Sequence, residues 1–213
     1  MKVELIHYTP LSVMVTAGRT AWDSFHKGGV YKELTDDISE DDLKFLKRII
    51  IKHKHGSVAE HVSYNFQVHG VSRALLQELA RHRIASYTVK STRYTLKELK
   101  EEDSLNCFDP DDFDRARKYL HYTDNSIVDN TSVRCLEMLR RLIKGNVSND
   151  EAKYALPESY LTSLVFTINA RSLQNFINLR TSSAALKEIR DLAIMIRDTV
   201  PKSHRFLYEK AED

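Results

Sequence analysis

Hydrophobic and polar positions alternate with period two between Val62 and His69: Val62, Tyr64, Phe66 and Val68 face one way, and Ser63, Asn65, Gln67 and His69 the other. That pattern predicts a strand with one buried face. Residues 2–8 alternate more weakly and form a candidate first strand, and 161–168 has the composition of a third, although its period alone fits a buried helix as well. Elsewhere the apolar positions recur at helical spacing. A helix is expected over 10–25, with Thr9 as N-cap and Pro10 in the first helical position. Ser39 opens a second over 40–54, with acids in its first turn and lysines in its last, as the helix dipole favours. Ser72 opens a third to about residue 83, with Leu75, Leu76 and Leu79 on its apolar side. Further helices are expected at 111–122 and 126–144 (ended by Gly145), in a short turn capped by Asn149, and at 171–180 and 184–199. Residues 84–94 are polar and lack helical period, so they read as an ordered loop. No repeat, low-complexity stretch or Gly/Ser linker divides the chain, so one mostly helical α+β domain with few strands is expected over 1–213.

Charge adds an exclusion. The 32 basic and 30 acidic side chains leave a formal net charge of +2, too small a bias for a protein that tracks a nucleic-acid polymer. Any bound anion must meet a local cluster of cations. No apolar run is of signal-peptide or membrane-spanning length, so a cytoplasmic protein with no membrane partner is expected. Cys107 and Cys135 sit in no metal-binding spacing. Cys107 lies in the acidic run SLNCFDPDD, which disfavours a thiolate, and Cys135 is on a helix face that packs. No cysteine nucleophile is expected.

Three stretches can carry chemistry. The first is 81–94, with Arg81, Arg83, Lys90, Arg93 and His82 among Ser86, Tyr87, Thr88, Ser91, Thr92 and Tyr94, and no acid. Forked guanidinium groups and hydroxyls suit phosphate. Helix-end cations paired to Glu78, three and four residues upstream of Arg81 and His82, account for the same spacing. The second is His55-x-Ser57-x-x-Glu60-His61, beside His53. It matches no metal-ligand spacing and equally suits a polar turn after a helix. The third is 169–180. On a helix, Arg171, Asn175 and Asn178 share one stripe, Leu173, Phe176 and Ile177 another, and Arg180 continues the apolar stripe seven residues after Leu173. A cation there must meet an acceptor or snorkel to water. The amides and guanidinium can grip a flat heterocycle or its phosphates, or can be a solvated surface.

Taken together, RHRIASYTVKSTRY (Arg81-His82-Arg83, seven residues, then Ser91), HGSVAEHVSYNF and FTINARSLQNFINLR resemble, in order, the blocks of the flavin-dependent thymidylate synthases (ThyX). The resemblance implies a ThyX-type α+β fold, mostly helical with a small antiparallel sheet. It also implies a homotetramer with active sites where subunits meet. The implied reaction converts dUMP to dTMP, with 5,10-methylenetetrahydrofolate as one-carbon donor and reduced FAD, regenerated by NADPH, as hydride source. It uses no cysteine nucleophile. By position, FAD falls to His55, Ser57, Glu60, Arg81, His82, Arg83, Asn169, Arg171 and Asn175. The dUMP contacts fall to Glu78, Leu79, Ala80, Arg81, Val89, Lys90, Ser91, Thr92, Arg93, Lys153 and Arg180, with Arg180 the catalytic group that stabilises the ionised pyrimidine N3. Departures from the family pattern are Thr88-Val89 for Asn-Glu, Glu78 for glutamine and Lys153 for arginine. They make a flavin- or nucleotide-binding protein of the same fold, without methyl transfer, the alternative reading.

Overall fold

The computed structural model of the chain describes residues 1–102 and 113–208. Strand β1 is Lys2–Tyr8, followed by α1 (Leu11–Ala21) and α2 (Glu40–Leu46), then α3 (Gly56–Ala59), β2 (Ser63–Ser72) and α4 (Arg73–Leu79). β3 (Ala85–Val89), α5 (Thr92–Thr95) and α6 (Phe113–Ala116) come next. The long α7 (Ser126–Lys144), α8 (Asn149–Ala152), β4 (Leu161–Asn169), α9 (Ala170–Arg180) and α10 (Lys187–Thr199) complete the order. The strands form one sheet in the order β1-β2-β4-β3. Asn65 Nδ2 donates to Thr167 Oγ1 at 2.7 Å, and His69 Nδ1 lies 3.2 Å from Ser163 Oγ. The register therefore rises on β2 as it falls on β4, which makes the pair antiparallel. It also puts Phe66 across from Phe166, with ring centroids 6.2 Å apart on the buried face. The α+β class with a small antiparallel sheet is as expected.

The chain divides into two compact units, one of Met1, His69–Leu79 and Thr88–Leu164, the other of Lys2–Val68, Ala80–Tyr87 and Val165–Asp213. In the first, α7 lays Val133, Leu136, Leu139 and Ile143 against Leu96, Leu99, Leu120 and Tyr160. Asn125 caps α7 by accepting from the backbone N–H groups of Ile127 and Val128. In the second, Met14, Val15, Phe45, Leu46, Ile49, Tyr64, Phe66, Phe166 and Phe176 are buried. Gly18 lets α1 approach closely: a Cβ there would lie 2.9 Å from both Ile49 Cδ1 and Phe45 Cε1.

Several boundaries differ from expectation, each for a local reason. Pro10, not Thr9, is the N-cap of α1, with extended backbone and no side-chain bond. Ser39 caps α2 as expected, but past Leu46 the helix widens into a π-type turn, Lys47–Lys52. Ser148, one residue before Asn149, caps α8 through its hydroxyl. The helix after Ser72 stops at Leu79, so Arg81 to Arg83 lie beyond it. α10 begins only at Lys187. Residues 84–94 are not a loop: Ala85–Val89 is the edge strand β3, with alternating half-buried and exposed side chains, and a turn of helix follows. Its short period-two signal is masked by hydroxyl residues, which edge strands tolerate. Cys107 and the start of the helix expected at 111–122 lie outside the described residues.

Two acids, Asp42 and Asp36, are anchors of the second unit. Asp42, in the first turn of α2, is buried. It receives Arg19 Nη2 at 2.6 Å, the Tyr31 hydroxyl at 2.6 Å and the Gly29 N–H at 3.1 Å. Asp36 receives the Tyr8 hydroxyl and the Leu11 N–H at 2.8 Å each, and its Oδ1 lies 2.9 Å from Nε2 of the fully buried His204. On the other side of that ring, Nδ1 is 2.7 Å from the Tyr64 hydroxyl. Burial pushes His204 below its usual value, against the pull of the Asp36 carboxylate. Burial pushes Asp36 upward, but hydrogen bonds from His204, the Leu11 N–H and Tyr8 outweigh it and hold the carboxyl low. The ring is thus neutral, with Nε2–H donating to Asp36 and Nδ1 accepting from Tyr64.

Both folded-state values lie below their unfolded ones, so the unfolded chain binds more protons in acid, and stability falls as the pH is lowered. The His204 contribution fades as pH drops below about 6.5, the free histidine value, and the Asp36 contribution follows in stronger acid. Thermal unfolding at pH 7.5 and 5.5 checks this. The melting temperature should drop at the lower pH, and His204→Gln, which cannot titrate, should show a smaller drop; equal drops would show that His204 does not carry the effect.

Candidate active site

β3, α9 and the turn after α4 bring their chemistry together in the second unit. Asn169 caps α9, its Oδ1 accepting from the Ser172 N–H at 2.8 Å. The helix buries Leu173, Phe176 and Ile177 and exposes Arg171, Asn175 and Asn178, the two stripes expected from spacing. Arg180 continues the buried stripe and is only partly exposed. Its Nε donates to Nε2 of His82 at 2.8 Å. His82 is 5% exposed and sets its ring edge-on to Phe176, centroids 4.9 Å apart at 90°.

The backbone around His82 is held as well. The Tyr87 hydroxyl donates to the His82 carbonyl at 2.8 Å, and the Ile84 N–H donates to Ser172 Oγ at 3.2 Å. Burial pushes the Tyr87 hydroxyl up to about 12, so it remains a donor through the neutral range. The ring of Tyr87 stacks on Phe166, centroids 5.3 Å apart at 11°. This clamp is absent from the sequence reading, where Tyr87 counts only as one hydroxyl among several. The alternation of Ala85, Tyr87 and Val89 is the signal that would have found it.

A cavity of about 670 Å³ opens beside these groups, lined by Arg81, His82, Arg83, Asn175, Leu179, Arg180, Ser182, Ala184 and Ala185. Three guanidinium groups and no carboxylate line it, a setting for an anion that also carries an apolar or planar part. Of the residues assigned to flavin, Arg81, His82, Arg83 and Asn175 meet here, together with Arg180.

Ser57, Glu60 and Arg171 form a neighbouring group in the same unit. Arg171 Nη1 lies 2.5 Å from Glu60 Oε1, with both side chains about half exposed. Gly56 makes room for the arginine: a Cβ there would lie 2.8 Å from Arg171 Nε. His55 is exposed, with Trp22 and His53 at ring distances of 6.1 Å each. Asn169 is committed to its cap.

The remaining pyrimidine positions belong to the first unit, apart from Ala80. Arg93 pairs with Asp150 at 2.8 Å, and the Asn149 side-chain amide donates to the Arg93 carbonyl at 2.7 Å. Lys153 follows in the turn after α8, its ammonium over the Tyr154 ring. These contacts place Ser91, Thr92 and Arg93 beside α8. Lys90 bonds Glu98 at 3.1 Å. Glu78 and Leu79 end α4, with Leu79 buried, and Val89 ends β3.

A sequence model of the family described as "Thymidylate synthase complementing protein" matches residues 4–204. The flavin-dependent thymidylate synthase of Campylobacter jejuni strain RM1221 is 49% identical over 209 residues, covering 98% of this chain and 96% of the relative. The chain belongs to the flavin-dependent thymidylate synthase family. The family enzyme of Helicobacter pylori strain 26695 is 48% identical over 210 residues, covering 98% of both chains. A crystal structure of the H. pylori family member ThyX with FAD and dUMP superposes with a TM-score of 0.88 at 47% identity, covering 98% of each chain.

Gly56 offers a direct check on the Arg171 arrangement. Gly56→Ala should destabilise the protein by about 1 kcal/mol, because the arginine must move. In an Arg171→Ala background the same change should cost little. Equal costs in the two backgrounds, measured by denaturant unfolding, would show that the two positions do not couple.

Proposed function

We propose that this chain, working as a single domain over its length, converts dUMP to dTMP. The one-carbon unit comes from 5,10-methylenetetrahydrofolate and the hydride from FAD that NADPH has reduced. The observation that carries the reading is the cavity in which Arg180, held on His82, stands with Arg81, Arg83 and Asn175 and with no carboxylate. That donor set fits a flavin nucleotide: guanidinium groups for the phosphates, an amide for the ring, and apolar side chains for its flat faces. Bound there, FAD supplies the hydride. Arg81, His82, Arg83 and Asn175 would hold it from the cavity, and His55, Ser57, Glu60, Asn169 and Arg171 from the neighbouring group. Arg180 supplies positive charge to the uracil ring as negative charge grows on N3, the kind of preorganised electrostatic help that lowers a barrier most. Glu78 to Arg81, Val89 to Arg93 and Lys153 hold dUMP where subunits meet, with Ser91, Thr92 and Arg93 donated by a neighbouring subunit and Lys153 giving charge without the forked geometry of an arginine. A homotetramer in the cytoplasm is part of the same reading. Among the described residues, no helix is long and apolar enough to cross a membrane.

Tritium release from dUMP labelled at C5 tests the function, because a methyl group replaces that hydrogen. Release that depends on NADPH and methylenetetrahydrofolate is expected. A yellow protein that releases none would instead be a flavin protein without methyl transfer. Arg180→Ala should cut turnover by about a hundredfold or more while the flavin stays bound; full activity would remove its catalytic assignment. Arg81→Ala should lower the flavin absorbance per mole of protein, and an unchanged ratio would show that Arg81 does not hold the cofactor.

A further inference from the structure

We propose that Glu98 is a positioning residue for the dUMP segment Ser91 to Arg93, acting through Lys90. This rests on the role given to that segment above. Residues 81–94 contain no acid, so the charge on Lys90 is met from outside the block: its Nζ lies 3.1 Å from Glu98 Oε1 and 3.3 Å from Oε2. The same Oε1 accepts the hydroxyl of the buried Tyr160 at 2.9 Å. Burial and the neighbouring carboxylate push that hydroxyl well above its usual value, so it stays a donor through the neutral range. One carboxylate thus ties the residue after β3 to the residue before β4. The Lys90 N–H adds a bond to the Ser163 carbonyl at 2.8 Å. At the other end of the segment, Asp150 holds the Arg93 side chain and Asn149 its carbonyl. Ser91, Thr92 and Arg93 are therefore a short span pinned on both sides before a nucleotide arrives. The side chains of Lys90 and Glu98 are each about one-third exposed, and such a pair alone is worth little. The buried tyrosine is what keeps Glu98 in one place. Ordering of this kind lowers the entropy that binding would otherwise lose, and it matters most for a segment that one subunit presents to its neighbour's site. Spacing could not reveal it, because Tyr160 is 62 positions from Glu98.

Two replacements break the arrangement in different ways. Glu98→Gln removes the charge that Lys90 pairs with, and Tyr160→Phe loosens Glu98 without changing any charge near the nucleotide. In the holoenzyme each should raise KM for dUMP by about threefold to tenfold while kcat moves by less than about twofold, the split expected when uniform binding is lost. The flavin-to-protein ratio should not change. Calorimetric titration of the holoenzyme with dUMP should show the same loss of affinity without turnover. Lys90→Met combined with Glu98→Gln should bind dUMP no worse than Lys90→Met alone, because both act through one contact. Additive losses would overturn the proposal, and so would unaltered binding by Tyr160→Phe. Tighter binding by Glu98→Gln would overturn it as well, since that result follows if Glu98 only offsets a cation that the phosphate would use. A parallel fall in flavin content would show a general packing defect and would also overturn it. A wild-type holoenzyme that binds no dUMP would remove the reading of the site and this proposal with it, whereas normal wild-type binding with unaltered variants removes this proposal alone.

Discussion

A guanidinium that continues the buried face of a helix has to find an acceptor, and much of the second unit is arranged around meeting that need for Arg180. Leu173, Phe176 and Ile177 bury one side of α9, and Arg180 extends that side to its last turn. Exposed to solvent it would be an ordinary helix-end cation, favoured by the dipole and of little consequence. Set against the Nε2 of a buried imidazole, it keeps its charge, loses much of its freedom and faces a cavity that also holds Arg81 and Arg83. Three guanidinium groups line one cavity, a setting that favours an anionic ligand.

The surrounding structure supplies stiffness. β4 carries Phe166, which contacts Phe66, Tyr87 and Phe176, so one aromatic ring links the strands to the helix that bears Arg180. Farther off, Asp42 and Asp36 fix the loops between α1 and β2. Each collects several donors, and each is satisfied before any ligand binds. Breaking such a buried pair by removing one member is far costlier than its presence is beneficial, which makes these carboxylates specific fasteners rather than sources of stability.

Period and capping chemistry made most helices and β2 legible, and composition alone pointed to β4. α7 spans Ser126–Lys144 and ends at Gly145 as expected, β1 spans Lys2–Tyr8, and the two stripes of α9 divide buried from exposed side chains as spacing requires. β3 was hidden because Ser86 and Thr88 occupy its outward positions and leave too few apolar residues for a strand pattern. The Asp36–His204 and Asp42–Arg19 contacts were invisible for a different reason. They join residues 168 and 23 positions apart, and no local periodicity encodes such partners. In the site, the cations of the Arg81-His82-Arg83 block and the helix-end Arg180 were identifiable from residue type. Which of them turns inward was not, since that depends on Phe176 and Tyr87 closing around the imidazole.

The central claim is that the cations lining this cavity receive a pyrimidine nucleotide beside a flavin. A crystal structure of the protein soaked with FAD and dUMP measures it directly. Both molecules should appear in density, with the Arg180 guanidinium on the uracil ring and Arg81 or Arg83 on a phosphate. Density for both molecules elsewhere, with those guanidinium groups directed into bulk water, would contradict it.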